Sequence, residues 1–279
     1  MAKASISVEV FPPKTPQGTE KLLANLQTLA ESRYISVTCG AGGSGQGYTT
    51  ELVSTLSNQL TVPIVPHITA AAYLTSEINA VLDYYYSIGI RTVLALGGDR
   101  PAGQGESIRT IFAVELVKHI QQWNKTNDGR QKFSVGAAGY PEGHFATPNR
   151  SLELNYLKQK VDAGGDYLCT QLCFDNHDLL DFRDRCAAAG INVPITVGIM
   201  PIQSQANYER IPQLALGTRY PAGLMRQISS CRNDKEIAAC GMNWAIKQAR
   251  QLISEGLTDI HLYSLNNADT SQQFFQALG

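Results

Sequence analysis

The sequence has no apolar run approaching the roughly eighteen residues that a membrane-spanning helix needs, so no membrane segment is expected. It also lacks a charge excess. Lys and Arg number 23 against 24 Asp and Glu, for a net charge of −1. That balance excludes a basic footprint for nucleic acid and a polybasic patch for a lipid surface. Neither a C-x-x-C pair nor a His/Cys cluster with zinc spacing occurs among the 6 cysteines, at positions 39, 169, 173, 186, 231 and 240. No apolar core of the secretory kind is seen near the amino terminus. The expected compartment is therefore the cytoplasm, where such cysteines stay reduced and act as small hydrophobes. Low-complexity stretches and linkers are missing too. With 43% hydrophobic and only 17% charged residues, the chain of 279 has ample material for a buried core and is expected to form one domain. What these absences leave is a small-molecule partner.

What is present opens with Ser5-Ile6-Ser7-Val8-Glu9-Val10-Phe11-Pro12-Pro13. Side chains alternate along a strand, so Ile6, Val8 and Val10 share one face while Ser5, Ser7 and Glu9 share the other. Glutamate is disfavoured in strands, and this one stands where Pro12 and Pro13 end the ladder. Taken alone it could equally be a surface carboxylate.

The rest of the chain alternates strand and helix. Leucines at 22, 23, 26 and 29 predict a helix within 18–32, followed by a strand over 34–39 and a glycine-rich loop over 40–47. Further helices are predicted over about 49–60, 75–88, 107–123, 150–163, 177–189, 234–255 and 270–278. Between them fall strands over 62–69, 91–96, 133–138, 166–171, 193–200 and 259–262. Eight strand–helix pairs in this length point to a parallel (β/α)8 TIM barrel with an extra helix before the last strand. A doubly wound open sheet is the alternative.

Barrel chemistry sits where strands end in loops. Those positions hold Glu9, Thr38, His67, Asp99, Tyr140, Gln171, Gln203 and Tyr263, a polar residue at every strand end. Gly40-Ala41-Gly42-Gly43-Ser44-Gly45 matches the dinucleotide pattern G-x-G-x-x-G, but the next strand carries no carboxylate to hold a ribose. The loop reads instead as backbone that a ligand can approach closely.

Nine segments in register resemble methylenetetrahydrofolate reductases of the bacterial type. They are Val8 to Pro13, Ser36 to Gly42, Pro66-His67-Ile68-Thr69, Leu96-Gly97-Gly98-Asp99, Tyr140 to His144, Lys158 to Gly164, Thr170-Gln171, Gly198 to Ile202, and His261 to Asn266. The resemblance implies an oxidoreductase barrel of one-carbon metabolism and methionine synthesis. It would bind FAD, use NADH or NADPH as co-substrate, and reduce methylenetetrahydrofolate to methyltetrahydrofolate by ping-pong hydride transfer. Glu9 falls on the family's general acid, and Asp99 on the aspartate beside flavin and folate. Thr38, Cys39, Ala41, His67, Gly97, Gly98, Ala113, Tyr140, His144, Glu153, Tyr156 and Lys160 fall on or beside flavin-contacting positions. Gln171, Gln203 and Tyr263 fall at the folate. A homo-oligomer is also implied.

Departures from the family pattern are Gly97, Gln159 and Asn267 where arginines are usual, and Gln205 where an aromatic residue is usual. Arg219, Arg226 or Arg232 are the candidates to compensate for the cation missing at Asn267. Two other readings stay open: another FAD barrel, such as a proline-dehydrogenase-like oxidant, and a non-catalytic flavin- or folate-binding subunit.

Overall fold

In a computed structural model that describes residues 4–39, 46–71, 75–98 and 112–279, eight parallel strands close into a barrel in the order β1 to β8. The elements run β1 Ser5–Val10, α1 Pro16–Gln27, β2 Ile35–Val37, α2 Gln46–Gln59, β3 Ile64–Thr69, α3 Thr75–Ser87, β4 Thr92–Leu96 and α4 Ala113–Thr126. They continue as β5 Ser134–Gly139, α5 Arg150–Asp162, β6 Tyr167–Thr170, α6 Asn176–Ala188, β7 Ile195–Ile199, α7 Gln205–Leu214, α8 Ala222–Ser229, α9 Asp234–Ser254, β8 Asp259–Tyr263 and α10 Ala268–Leu278. The (β/α)8 expectation is met.

The two-residue period of β1 explains the layering. Val8 is 0% exposed and packs outward among the helices with Ile6 and Val10, a burial that contributes about 1.5–3 kcal/mol for such a side chain. Ser7, on the opposite face, points into the barrel and meets His261. Within the barrel, Tyr34, Val65, Leu94 and Cys169 form a small apolar plug. Helix starts are marked by short polar caps, as the sequence chemistry requires. Thr15, Asn149, Asp175, Ser204, Asn233 and Asn267 each accept a first-turn backbone N–H.

The stretch between β7 and β8 holds two helices more than the one expected there. α7 escapes a pattern reading because Pro212 lies inside it. Proline lacks an N–H, so the Tyr208 carbonyl four residues back loses its helical donor. The Tyr220 hydroxyl donates to that carbonyl instead, at 2.6 Å, and the two tyrosine rings stack at 4.4 Å. α7, α8 and α9 cover their own apolar cluster, which includes Met200, Ile202, Ile211, Leu224 and Ile237. The helix expected from 107 begins at Ala113, and residues 107–111 lie outside the described residues, as does the loop over 40–45.

Candidate active site at the carboxyl ends of the strands

Glu9 is the penultimate residue of β1, and the register sets it beside Ser36 of β2 and Tyr263 of β8. Its carboxylate is 21% exposed and lies 3.6 Å from His67 Nε2 and 3.8 Å from His261 Nε2. Both histidines are buried. Burial pulls the His67 imidazole down to about 4, opposed by the Glu9 charge and helped by His261. His67 is therefore neutral at pH 7, and its contact with Glu9 is one of dipole and charge rather than an ion pair. His261 is held from both sides, with Ser7 Oγ 2.7 Å from Nδ1 and Ser36 Oγ 3.3 Å from Nε2. Its ring stacks on Tyr34 at 5.7 Å and meets the Tyr263 ring edge-on at 5.1 Å.

Sequence reasoning had passed over His261 as a site residue. The signal was there. Asp259, His261 and Tyr263 alternate on one face of β8 as Ser5, Ser7 and Glu9 do on β1, and the two faces turn out to be paired residue for residue.

Tyr263 comes to the same cluster but is anchored. Its hydroxyl donates to the Thr170 carbonyl at 2.9 Å, and burial raises its pKa well above that of an ordinary phenol. Gly198 makes the room: a Cβ there would lie 2.6 Å from the Tyr263 ring and 2.6 Å from the Thr170 oxygen. Thr38 follows β2, donates its N–H to Val10 O at 2.9 Å, and has a buried hydroxyl without a hydrogen-bond partner. The Cys39 sulfur accepts from Thr69 Oγ1 at 3.7 Å. After β4, Gly97 O accepts from Ala71 N at 3.1 Å, while Gly98 adopts φ +75° with its Cα against Thr69 and Ala71. Asp99 and Ala41 lie outside the described residues.

A second group gathers at the β5–α5 loop. Tyr140 and His144 meet edge to face at 4.6 Å, and Lys160 Nζ lies 5.9 Å from the centre of the Tyr140 ring. Lys160 Nζ donates to Ala138 O at 2.7 Å. Burial brings the ammonium down to about 8, with Glu153 holding it up. Glu153 is 4% exposed, and burial raises its pKa against the pull of Lys160, Arg185 and Arg150. Its Oε2 has no hydrogen-bond partner. Tyr156 stands exposed three residues along α5, and Ala113 is the half-buried first residue of α4. Gln171 follows β6 and turns its Oε1 back onto Leu172 N at 2.9 Å, while lining one crevice with Tyr140. Gln203 follows β7. Its Nε2 donates to Ser264 O at 3.0 Å and its Oε1 accepts from Asn267 Nδ2 at 2.9 Å.

Of the three arginines considered as compensation for Asn267, two are engaged elsewhere. Arg219 binds Glu142 and Asp178, and Arg232 binds Glu236. Gln159 is exposed and bonded to Asn155 at 3.3 Å, and Gln205 is bonded to Glu209 at 2.7 Å on the first turn of α7.

A closed parallel barrel with an acid and two buried histidines toward the carboxyl ends of its strands, and a half-buried lysine of α5 bonded to the β5 backbone, defines the class: a (β/α)8 barrel with the layout of an enzyme. The methylenetetrahydrofolate reductase family profile matches residues 1–279, and the chain belongs to that family. It is similar to methylenetetrahydrofolate reductase (NADH) 1 of Arabidopsis thaliana, 35% identical over 95% of this chain and 46% of the relative. It is similar also to 5,10-methylenetetrahydrofolate reductase of Escherichia coli, 30% identical over 99% of this chain and 90% of the relative. The chain thus spans about half the length of the plant relative. Among solved structures, a Clostridium thermocellum protein described as binding two copies of 5-methyl-5,6,7,8-tetrahydrofolic acid shares the fold, at TM-score 0.67 and 14% identity, covering 99% of this chain and 94% of that one. Among the described residues no helix is long and apolar enough to cross a membrane.

Proposed function

We propose that this protein reduces 5,10-methylenetetrahydrofolate to 5-methyltetrahydrofolate, with FAD bound and NADH or NADPH as the electron source. The observation that carries the reading is Glu9, a half-shielded carboxyl between two buried histidines at the barrel mouth. The residues fit the cofactor. Thr38 Oγ1, His67 Nε2 and Glu153 Oε2 are buried without hydrogen-bond partners, and all three fall at positions the resemblance assigns to flavin. Such orphaned atoms are rare in native interiors and mark places where a ligand or water completes the bonding. Lys160, whose ammonium is disfavoured by burial, would be relieved by the cofactor's pyrophosphate. Tyr140 and His144 would hold the cofactor from the β5–α5 loop. When bound, FAD would accept hydride from the nicotinamide and pass it to the folate.

The chain's own acid–base work falls to Glu9. It gives a proton to a folate ring nitrogen, the five-membered ring opens, and the resulting iminium carbon is the hydride acceptor. Asp99 is proposed to stabilise that cation. Gln171 and Gln203 would read the pterin edge, since an amide offers both a donor and an acceptor.

The test is a pair of anaerobic half-reactions. NADH or NADPH should bleach the yellow protein, and methylenetetrahydrofolate should restore the colour. Glu9→Gln should leave bleaching nearly intact and slow the restoration by about 10²–10⁴-fold. A colourless preparation that takes up no flavin, or equal loss of both half-reactions in Glu9→Gln, would overturn the assignment.

A further inference from the structure

Glu142 lies two residues from Tyr140 and two from His144, and its side chain is only 6% exposed. Among the described residues, the cation paired with it is Arg219. Arg219 donates to Glu142 Oε1 twice, from its backbone N at 2.9 Å and from Nε at 3.2 Å, and its Nη2 reaches Asp178 Oδ2 at 2.7 Å. These contacts join three separate segments. Glu142 belongs to the β5–α5 loop, Asp178 to the first turn of α6, and Arg219 to the α7–α8 connection, which the regular strand–helix alternation does not contain. The connection lies directly on the loop: Gly217, at φ +93°, has room for a Cβ only 3.5 Å from Gly143 O and 3.9 Å from Phe145 Cβ. The loop is gripped from its other side as well, because Pro141 O accepts from Arg150 Nη1 at 3.1 Å and from Arg185 Nη2 at 3.2 Å. Carboxylate oxygens of Glu142 and Asp178 and the Cys173 sulfur all lie within 4.8 Å of one another, but Arg219 already supplies the positive charge between the two acids.

We infer that Arg219 is a positioning residue: it clasps the β5–α5 loop to α6 and to the inserted segment, and so fixes the angle at which Tyr140 and His144 are presented to a ligand. The two rings meet edge to face, His144 stacks on Phe145 at 5.0 Å, and Glu142, which the clasp holds, lies between Tyr140 and His144 in the chain. Burial raises the Glu142 pKa while Arg219 lowers it, so without Arg219 the acid is left shielded from water beside the like charge of Asp178 and without its cation, a costly arrangement that the loop relieves by opening. The functional consequence rests on the flavin reading above, but the clasp itself does not.

Two measurements on Arg219→Met, with Arg219→Lys as the milder variant, separate the two. Hydrogen exchange of a peptide spanning 140–146, in flavin-free protein, should quicken about tenfold in Arg219→Met and less in Arg219→Lys, with exchange in β1 and β8 unchanged. The dissociation constant for added FAD should rise about tenfold in Arg219→Met and be partly restored by lysine. Unchanged exchange over 140–146 overturns the clasp. Faster exchange with an unaltered FAD constant overturns the link to the ligand platform. A wild-type protein that binds no FAD, with exchange still responding to Arg219, sinks the flavin reading and leaves the clasp standing. If Arg219→Met does not fold, Arg219→Lys and Glu142→Gln carry the same exchange comparison.

Discussion

His67 Nε2 stands 3.6 Å from Glu9 Oε2, close enough for electrostatic contact and just too long for a hydrogen bond, with the imidazole uncharged at neutral pH because burial has brought it to about 4. The pairing therefore supplies a dipole and a shaped apolar wall. A protonated histidine there would instead tie the carboxylate into an ion pair.

That relationship sets a pH dependence of stability. The folded pKa of about 4 lies below the ordinary 6.5 of an imidazole, so the unfolded chain binds more protons in between. Stability contributed by neutral His67 is complete above pH 6.5 and is lost as pH falls toward 4. Between pH 7.5 and 5 the loss should be about 2 kcal/mol. Urea unfolding of wild type and His67→Asn at both pH values checks it: the variant should lose about 2 kcal/mol less over that interval. Identical losses would refute the assignment.

His261 makes a second prediction, concerned with coupling. His261→Phe keeps a ring beside Tyr34 but takes away a partner of Ser7 and of Ser36, which are buried at 0% and 1% exposure. Ser7 Oγ keeps its 3.3 Å bond to Ile260 O, so the loss falls mainly on Ser36 and should cost about 1–3 kcal/mol. In Ser7→Ala with His261→Phe the same contact is removed only once. The double variant should therefore fall short of the sum of the singles by about 1 kcal/mol, read from denaturant midpoints. Strict additivity would show that the Ser7–His261 contact carries no energy.

How much of this was legible beforehand depends on range. The alternation of Ser7 and Glu9 with Ile6, Val8 and Val10 is a local signal, and it gave the correct face of β1. The barrel follows from another local signal, the eight strand–helix pairs in succession. The 3.8 Å contact of Glu9 with His261 joins the two ends of the chain and depends on the β1–β8 register, which sets Ser7 beside His261 and Glu9 beside Tyr263 and which no single segment encodes. α7 was hidden for a different reason: its Pro212 is tolerated only because Tyr220, in the connection beyond it, replaces a lost hydrogen bond. The departure at Asn267 also looked different from the sequence, where it was only a missing arginine.

Lys160 should give an alkaline limb of the same sign as that of His67. Its folded pKa of about 8 lies below the ordinary 10.5, so the unfolded chain holds more protons between those values and stability rises with pH from 8 toward 10. Above that window the buried tyrosines act against it, since burial keeps Tyr34 and Tyr263 neutral in the folded state while unfolded phenols ionise. Between pH 8 and pH 9.5 the buried thiols of Cys169, Cys173 and Cys186, which burial keeps protonated in the folded state, lower stability in wild type and Lys160→Met alike. The unfolding midpoint of flavin-free Lys160→Met should therefore fall further over that interval than that of wild type, and an equal change in both would place the titrating group elsewhere.

Asn267 separates a structural role from a substrate role within one side chain. Its Oδ1 caps α10 by accepting from Thr270 N at 3.0 Å, while its Nδ2 donates to Gln203 Oε1 at 2.9 Å. Asn267→Asp keeps the cap, because a carboxylate accepts from the same N–H and suits a helix N-terminus, but it loses the donor to Gln203. Asn267→Ala loses both. Thermal unfolding should report about 1 kcal/mol lost in the alanine variant and little in the aspartate variant. KM for methylenetetrahydrofolate should instead rise in both, by about fivefold, with the bleaching by nicotinamide unaffected, because both variants release the Gln203 amide from the orientation that Ser264 O and Asn267 fix. If KM followed stability and rose only in the alanine variant, Gln203 would be positioned without help from Asn267, and the asparagine would be a helix cap alone.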